Sequence, residues 1–213
     1  KLGVNLVTVG GAFDYSKLGC SHHCYADVSL MSHLTDARIS LPGSAVEFDI
    51  LFRQIFDKNS INYFRITENP HGVEFDREDL IFGKGIRVCA GTDITIAVTG
   101  AQLSNVLAAS ELLKNSGIST EILYFHTLKP FDLDLLRSSL RMTRRLLTVE
   151  ELSAHDGLYN LCLRAAVGIG DFRAAQLAID GFLRGYGSYD DLCETAGLNV
   201  HGVVSQVEDL VRP

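Results

Sequence analysis

No apolar run in the chain approaches the roughly 20 residues that a helix needs to cross a bilayer, which excludes a helical membrane span. Basic residues are not in surplus either. Nineteen Lys and Arg stand against 26 Asp and Glu, a net charge of -7, and a surface of that sign is wrong for a nucleic-acid binder that must neutralise phosphates. The five cysteines, Cys20, Cys24, Cys89, Cys162 and Cys193, are odd in number and scattered. They fit no disulfide framework, so a reduced, cytoplasmic setting is expected. The start at Lys1 shows no charged-then-apolar leader and no small-residue cleavage site, so no secretion signal is expected. There is no repeat of fixed period and no low-complexity tract. The G-x-G-x-x-G dinucleotide fingerprint is missing, which argues against a phosphate cradle around Asp93 to Gly100.

What is there is 213 residues, 46% of them hydrophobic, enough for one large or two small globular domains. Residues 1–68 alternate in period: a strand at LGVNLVTVG, a glycine loop, a helix at VSLMSHL, a strand at ARISLPG, a helix at VEFDILFRQIF and a strand at NYFRI. Ser44 is placed to cap the second helix, whose Val46, Ile50, Leu51 and Ile55 form an apolar stripe. Residues 69–88 carry Pro70, Gly72, Gly83 and Gly85 without sustained periodicity, and are expected to be a linker.

Residues 89–213 return to βα alternation. Strands are expected at Ile94–Val98, Thr120–Tyr124, Arg145–Val149 and near Gln176–Ile179. Helices are expected at Gln102–Asn115, Leu133–Leu140, Gly157–Val167, Tyr189–Ala196 and His201–Val211, with Asp132 capping the second. That alternation implies a parallel sheet with helices on its faces.

The chemistry concentrates in Gly19, Cys20, Ser21, His22 and His23, with Asp27 four residues on. Imidazole titrates near neutral pH, so the pair can exchange protons with a bound sugar or keto group. The plainer alternative is a loop histidine hydrogen-bonded to backbone. Cys20 and Cys24 with the two histidines could be drawn as a metal site, but no second pair follows at zinc-finger spacing, and no metal site is expected. Asp27 is expected to cap or favour the N-terminus of the helix it precedes. Glu150 and Glu151, as neighbours on a strand, point to opposite faces and are expected to anchor loops or domain contacts rather than share a proton.

These pieces occur in an order that resembles the transketolase superfamily of thiamin-diphosphate enzymes. Its members carry a G-x-T-H-[HQ] loop, here Gly19 to His23, then a strand ending in proline before an acid-bearing helix, here Ile39 to Pro42 and Glu47. A G-x-D-[VIL]-T-[IL] strand with a following glycine matches Gly91, Asp93, Thr95, Ile96 and Gly100. The K-P-[FL]-D and T-V-E-E pieces match Lys129 to Asp132 and Thr148 to Glu151.

The resemblance implies an α/β fold: an incomplete parallel-sheet thiamin pyrimidine-binding domain followed by a smaller α/β transketolase C-terminal domain. It implies that His22 is catalytic and substrate-binding, with His23 a second substrate-binding candidate, in transfer of a two-carbon ketol unit between sugars. In that family the glutamate that activates the cofactor lies upstream of the histidine loop, and a domain with a G-D-G…N pattern holds the diphosphate. Neither aligns with this sequence. Thiamin diphosphate and Mg²⁺ are therefore expected to be anchored mainly by an N-terminal diphosphate-binding domain or subunit, in a homodimer or heterotetramer.

One departure bears on substrate. Phosphosugar-using members place an arginine a few residues after a strand like NYFRI to grip phosphate, whereas Arg65 is followed by Ile66, Thr67 and Glu68. His71 and Arg77 are possible substitutes. Glu68 also fits the beta subunit of a 2-oxo-acid dehydrogenase, acting on a 2-oxo acid, and a non-catalytic dimerisation scaffold is the alternative from outside the enzymes.

Overall fold

A computed structural model describes residues 3–212. Leu2, included in the expected first strand, lies outside them. The chain runs β1 (Val4–Thr8), α1 (Asp27–Ser32), β2 (Ala37–Ser40), α2 (Ala45–Ile55), β3 (Ile61–Arg65) and β4 (Ile86–Cys89). It continues β5 (Ile94–Val98), α3 (Leu103–Asn115), β6 (Thr120–Tyr124), β7 (Thr127–Lys129), α4 (Leu133–Thr143) and β8 (Arg145–Ser153). It ends α5 (Leu158–Ala166), β9 (Arg173–Ile179), α6 (Tyr189–Thr195) and α7 (Val200–Val211).

Two sheets result. The first has the order β1-β3-β2-β7 and the second β4-β6-β5-β8-β9. In each, the strands are parallel except one at an edge: β7 runs antiparallel to β2, and β4 antiparallel to β6. The expected linker thus ends in a strand, because Ile86 is buried and pairs with Tyr124. β7 is the other element the sequence did not reveal. It is three residues long, and it crosses from the second half of the chain to close the first sheet.

The sheets follow from their residues. Every residue of β5, ITIAV, is buried, as a central parallel strand with both faces covered demands. By contrast β1 is an edge strand, and Val4, Leu6, Val7 and Val9 are 39–45% exposed. Ser44 Oγ accepts the Glu47 N–H at 3.2 Å and Asp132 the Leu135 N–H at 3.3 Å, so both expected caps form. Helix α2 then lays Leu51 and Ile55 on Phe64 of β3. Burying a side chain of that size contributes about 1.5–3 kcal/mol.

The two halves share one core. Ile39, Leu41 and Tyr63 from the first pack with Ala97, Leu123, Phe125 and Leu146 from the second, and with Leu152 and Leu158 beyond them. A separate cluster lies between the second sheet and α3 and α7, built on Ile96, Val98, Val106, Val203 and Val207.

Candidate active site

The histidine loop is pinched at its base. Ala12 N–H donates to the Cys24 carbonyl at 2.5 Å and Cys24 N–H returns to Ala12 at 3.2 Å. Between these residues the chain makes two short 3-10 turns, Ser16–Leu18 and Cys20–His22, joined at Gly19 with φ 80°. That left-handed φ suits glycine and strains other residues.

The two imidazoles have different surroundings, one exposed and the other buried. His22 is exposed, with Nδ1 3.0 Å from Ser21 Oγ and its ring edge-on to Tyr15 at 6.5 Å between centroids. His23 is buried, 8% exposed, and stands T-shaped against Phe13 at 5.3 Å. Its Nδ1 lies 3.3 Å from the Leu183 carbonyl. A carbonyl only accepts, so this nitrogen carries the proton. Of the two expected substrate contacts, then, only His22 is presented to solvent. His23 is turned into the fold, where it ties the loop to the second half of the chain.

Asp27 does not cap α1. Its Oδ2 accepts the Tyr63 hydroxyl at 2.5 Å and its Oδ1 the Arg65 Nη1 at 3.1 Å. Tyr63 in turn accepts from Thr8 Oγ1 at 3.0 Å, and Arg65 Nη2 reaches the Glu151 carbonyl at 3.3 Å. Burial works against the Arg65 charge, yet Asp27, with Glu151 and Tyr63, holds its pKa above the usual value. The carboxylate therefore welds α1 to β3, and Arg65 is engaged within the protein. Burial, then the Asp27 charge, push the Cys24 thiol up, so it is a poor nucleophile.

After Arg65 the chain is held by Asp14, whose Oδ1 accepts from Thr67 Oγ1 and Asn69 Nδ2, both at 2.8 Å. Glu68 between them is exposed. His71 is no phosphate grip. Its Nδ1 accepts the Val73 N–H at 3.0 Å, which puts the proton on Nε2, and Nε2–H donates to Glu47 Oε1 at 2.6 Å. Glu47 Oε2 accepts the Tyr124 hydroxyl at 2.7 Å and the Gly43 N–H at 2.9 Å. This buried network joins α2, residues 71–73 and β6. Arg77 is exposed in the segment that follows.

Glu150 and Glu151 serve different neighbours. Glu150 accepts the Leu158 and Tyr159 N–H groups at the start of α5. Burial nevertheless pushes its carboxyl up to about 7, against the pull of those two N–H groups. Glu151 accepts from Gln102 Nε2 at 2.7 Å and from the Tyr189 hydroxyl, and so anchors α3 and α6.

A cleft of about 500 Å³ opens between α1, β2 and α5 against Val28, Ile39, Leu128, Phe131 and Leu161. None of its lining residues belongs to the histidine loop. Among the described residues no three His, Cys, Asp or Glu side chains converge as a metal ion requires.

A family model described as the transketolase C-terminal domain matches residues 83–203. One of the subunits of the apulose-4-phosphate transketolase from Phocaeicola vulgatus is 29% identical over 73% of this chain and 50% of its own length. A putative transketolase C-terminal section from Methanocaldococcus jannaschii is 25% identical over 100% of the chain and 67% of its own. The beta subunit of the pyruvate dehydrogenase E1 component of Pisum sativum is 25% identical over 100% and 60%. The chain thus spans from half to two thirds of these relatives. Among solved structures, a split-gene transketolase described as an inactive beta4 tetramer superposes with a TM-score of 0.84 at 24% identity, covering 99% of this chain and 68% of that one.

Proposed function

Because the chain belongs to the transketolase C-terminal domain family, we propose that it is the histidine-bearing part of a transketolase-like enzyme that moves a two-carbon ketol unit between sugars. The observation that carries the reading is the histidine loop, pinched at Ala12 and Cys24 and presenting the His22 imidazole to solvent.

With Nδ1 beside Ser21 Oγ, His22 is left with Nε2 for a substrate oxygen. It donates a proton there as a carbonyl oxygen becomes an alkoxide, and takes it back when the carbonyl re-forms. His23 and the Asp27–Tyr63–Arg65 set keep the loop from moving, so the imidazole arrives oriented. Thiamin diphosphate, when bound, supplies the nucleophilic carbon. It and Mg²⁺ are held by an N-terminal diphosphate-binding domain or subunit, in a homodimer or heterotetramer. The exposed apolar edge of β1 favours such association. Five free cysteines support a cytoplasmic setting, and among the described residues no helix is long and apolar enough to cross a membrane.

Exposed Glu68, where an arginine would grip phosphate, favours a second reading as the beta subunit of a 2-oxo-acid dehydrogenase. One reconstitution separates the two. The chain, its partner, thiamin diphosphate and Mg²⁺ are assayed for ketol transfer from a panel of ketoses and for CO₂ release from pyruvate. Ketol transfer, lost by about 10²–10⁴-fold in His22→Ala, is expected. CO₂ release alone would establish the second reading, and neither activity, with no cofactor heat by calorimetry, would leave a scaffold.

A further inference from the structure

We infer that residues 181–187, from the second half of the chain, form a wall of the candidate site, with Tyr186 as the residue that meets the substrate beside His22; its substrate role rests on the reading above. The segment leaves β9, turns at Gly181 with φ 81°, and lies against the histidine loop before α6 begins.

Three contacts hold it there, to residues that precede and follow His22 in the chain. Before it, the Tyr186 ring lies so close to Gly19 that a Cβ on that glycine would stand 2.7 Å from Tyr186 Cε1. After it, the Leu183 carbonyl accepts the His23 Nδ1–H at 3.3 Å, and the Phe182 and Tyr25 rings meet at 6.3 Å between centroids. The Nε2 of His23 is buried without a partner among the described residues. The one hydrogen bond its imidazole makes there is therefore the tie between loop and segment, and His23 is a positioning residue.

Tyr186 has a different character. It is 81% exposed, although its ring rests on the residue that opens the His22 turn. Leu18, the residue before Gly19, is 58% exposed, and Phe182 of the same segment is 53% exposed. An aromatic face with a hydroxyl at its rim suits a ligand that is apolar along its C–H faces and polar at its edges. A ketose, or the carbon chain of a 2-oxo acid, has that character. Glycine at position 19 thus suits its φ of 80°, and a side chain there would push the exposed Tyr186 ring aside.

Two measurements test this. In the holo complex with its partner, Tyr186→Ala should raise KM for the donor substrate about tenfold, equal to about 1.4 kcal/mol, with kcat changed less than about threefold. The thermal midpoint should stay put, since the ring is exposed. An unchanged KM in an active complex, or a loss confined to partner assembly, overturns the substrate role. In the isolated chain, Tyr186→Ala should shift the Gly19 amide and the His22 ring signals in NMR spectra through loss of the ring current. Unmoved signals overturn the wall whatever the activity. A wild-type complex with neither ketol transfer nor CO₂ release would sink the functional reading instead, and the NMR result would still decide the contact.

Discussion

Replacing Glu47 by glutamine changes one oxygen for an NH₂ and keeps the volume, which makes it a direct probe of the network around that carboxylate. Glu47 accepts three hydrogen bonds and donates none. His71 cannot adapt by moving its proton, because Nδ1 already accepts from Val73 N–H. Turned toward His71, the new NH₂ meets Nε2–H, a donor against a donor. Turned the other way it can donate to the Tyr124 hydroxyl, which already accepts the Gly43 N–H at 3.0 Å, so the amide is expected to take that side. What is lost is the charge of the acceptor and the Gly43 bond to it, and a hydrogen bond to a charged group is worth about 1.5–3 kcal/mol. For a chain of this size each kcal/mol moves the midpoint by about 2–4 °C, so a loss of about 2 kcal/mol should shift thermal unfolding down by about 4–8 °C. Tyr124→Phe removes one of the three bonds and should cost about 1–2 kcal/mol. Glu68→Gln, on an exposed residue, should stay within about 0.5 kcal/mol. A midpoint for Glu47→Gln within about 2 °C of the parent would refute the claim that this carboxylate joins the two halves.

Two buried groups should make stability depend on pH in opposite senses. Glu150 is raised from 4.5 to about 7 in the fold, so its contribution favours the fold in acid and is lost as pH rises through that window, about 3 kcal/mol in all. Glu150→Gln should therefore gain on the parent by about that much between pH 4.5 and 7 in urea denaturation, and a constant difference would contradict it. His126 is lowered from 6.5 to about 4, chiefly by burial with the Glu47 charge opposing. Its contribution is present above the unfolded value and lost as pH falls, so His126→Gln should gain on the parent between pH 6.5 and 4 by about 3 kcal/mol. Gly91→Ala would drive a Cβ into the backbone of Thr120 and Glu121 and should cost about 1–3 kcal/mol by calorimetry. Gly170→Ala meets nothing and should be nearly neutral; equal effects for the two would remove close approach as the reason for glycine at position 91.

Periodicity and caps made most elements legible in the sequence. The Ser44 and Asp132 caps and the buried run of β5 stand where the residue pattern puts them. What stayed hidden was pairing between distant segments. Thr127–Lys129 is too short to show a period of two, and Ile86–Cys89 follows Gly83 and Gly85, which read as a loop. Asp27 looked like a helix-capping acid because its partners, Tyr63 and Arg65, lie more than thirty residues away. Glu47 did leave a signal. It sits three and four residues before Ile50 and Leu51, on the apolar face of α2. A carboxylate on a core-facing stripe must find donors, and nothing local names Tyr124 or His71 as those donors. The histidine loop was legible as chemistry, while the burial of one ring against a carbonyl 160 residues further on was not.

The strand β7 has a consequence for anyone who would divide this protein. It lies beyond β4, β5 and β6 in the chain, yet it forms the border of the sheet that carries the histidine loop. A ribosome must therefore deliver residue 129 before that border exists. A gene cut at residue 68 or 88 would release a first piece without its closing strand and a second piece with that strand unpaired. The two pieces should recover the fold only when expressed together, as complementing fragments.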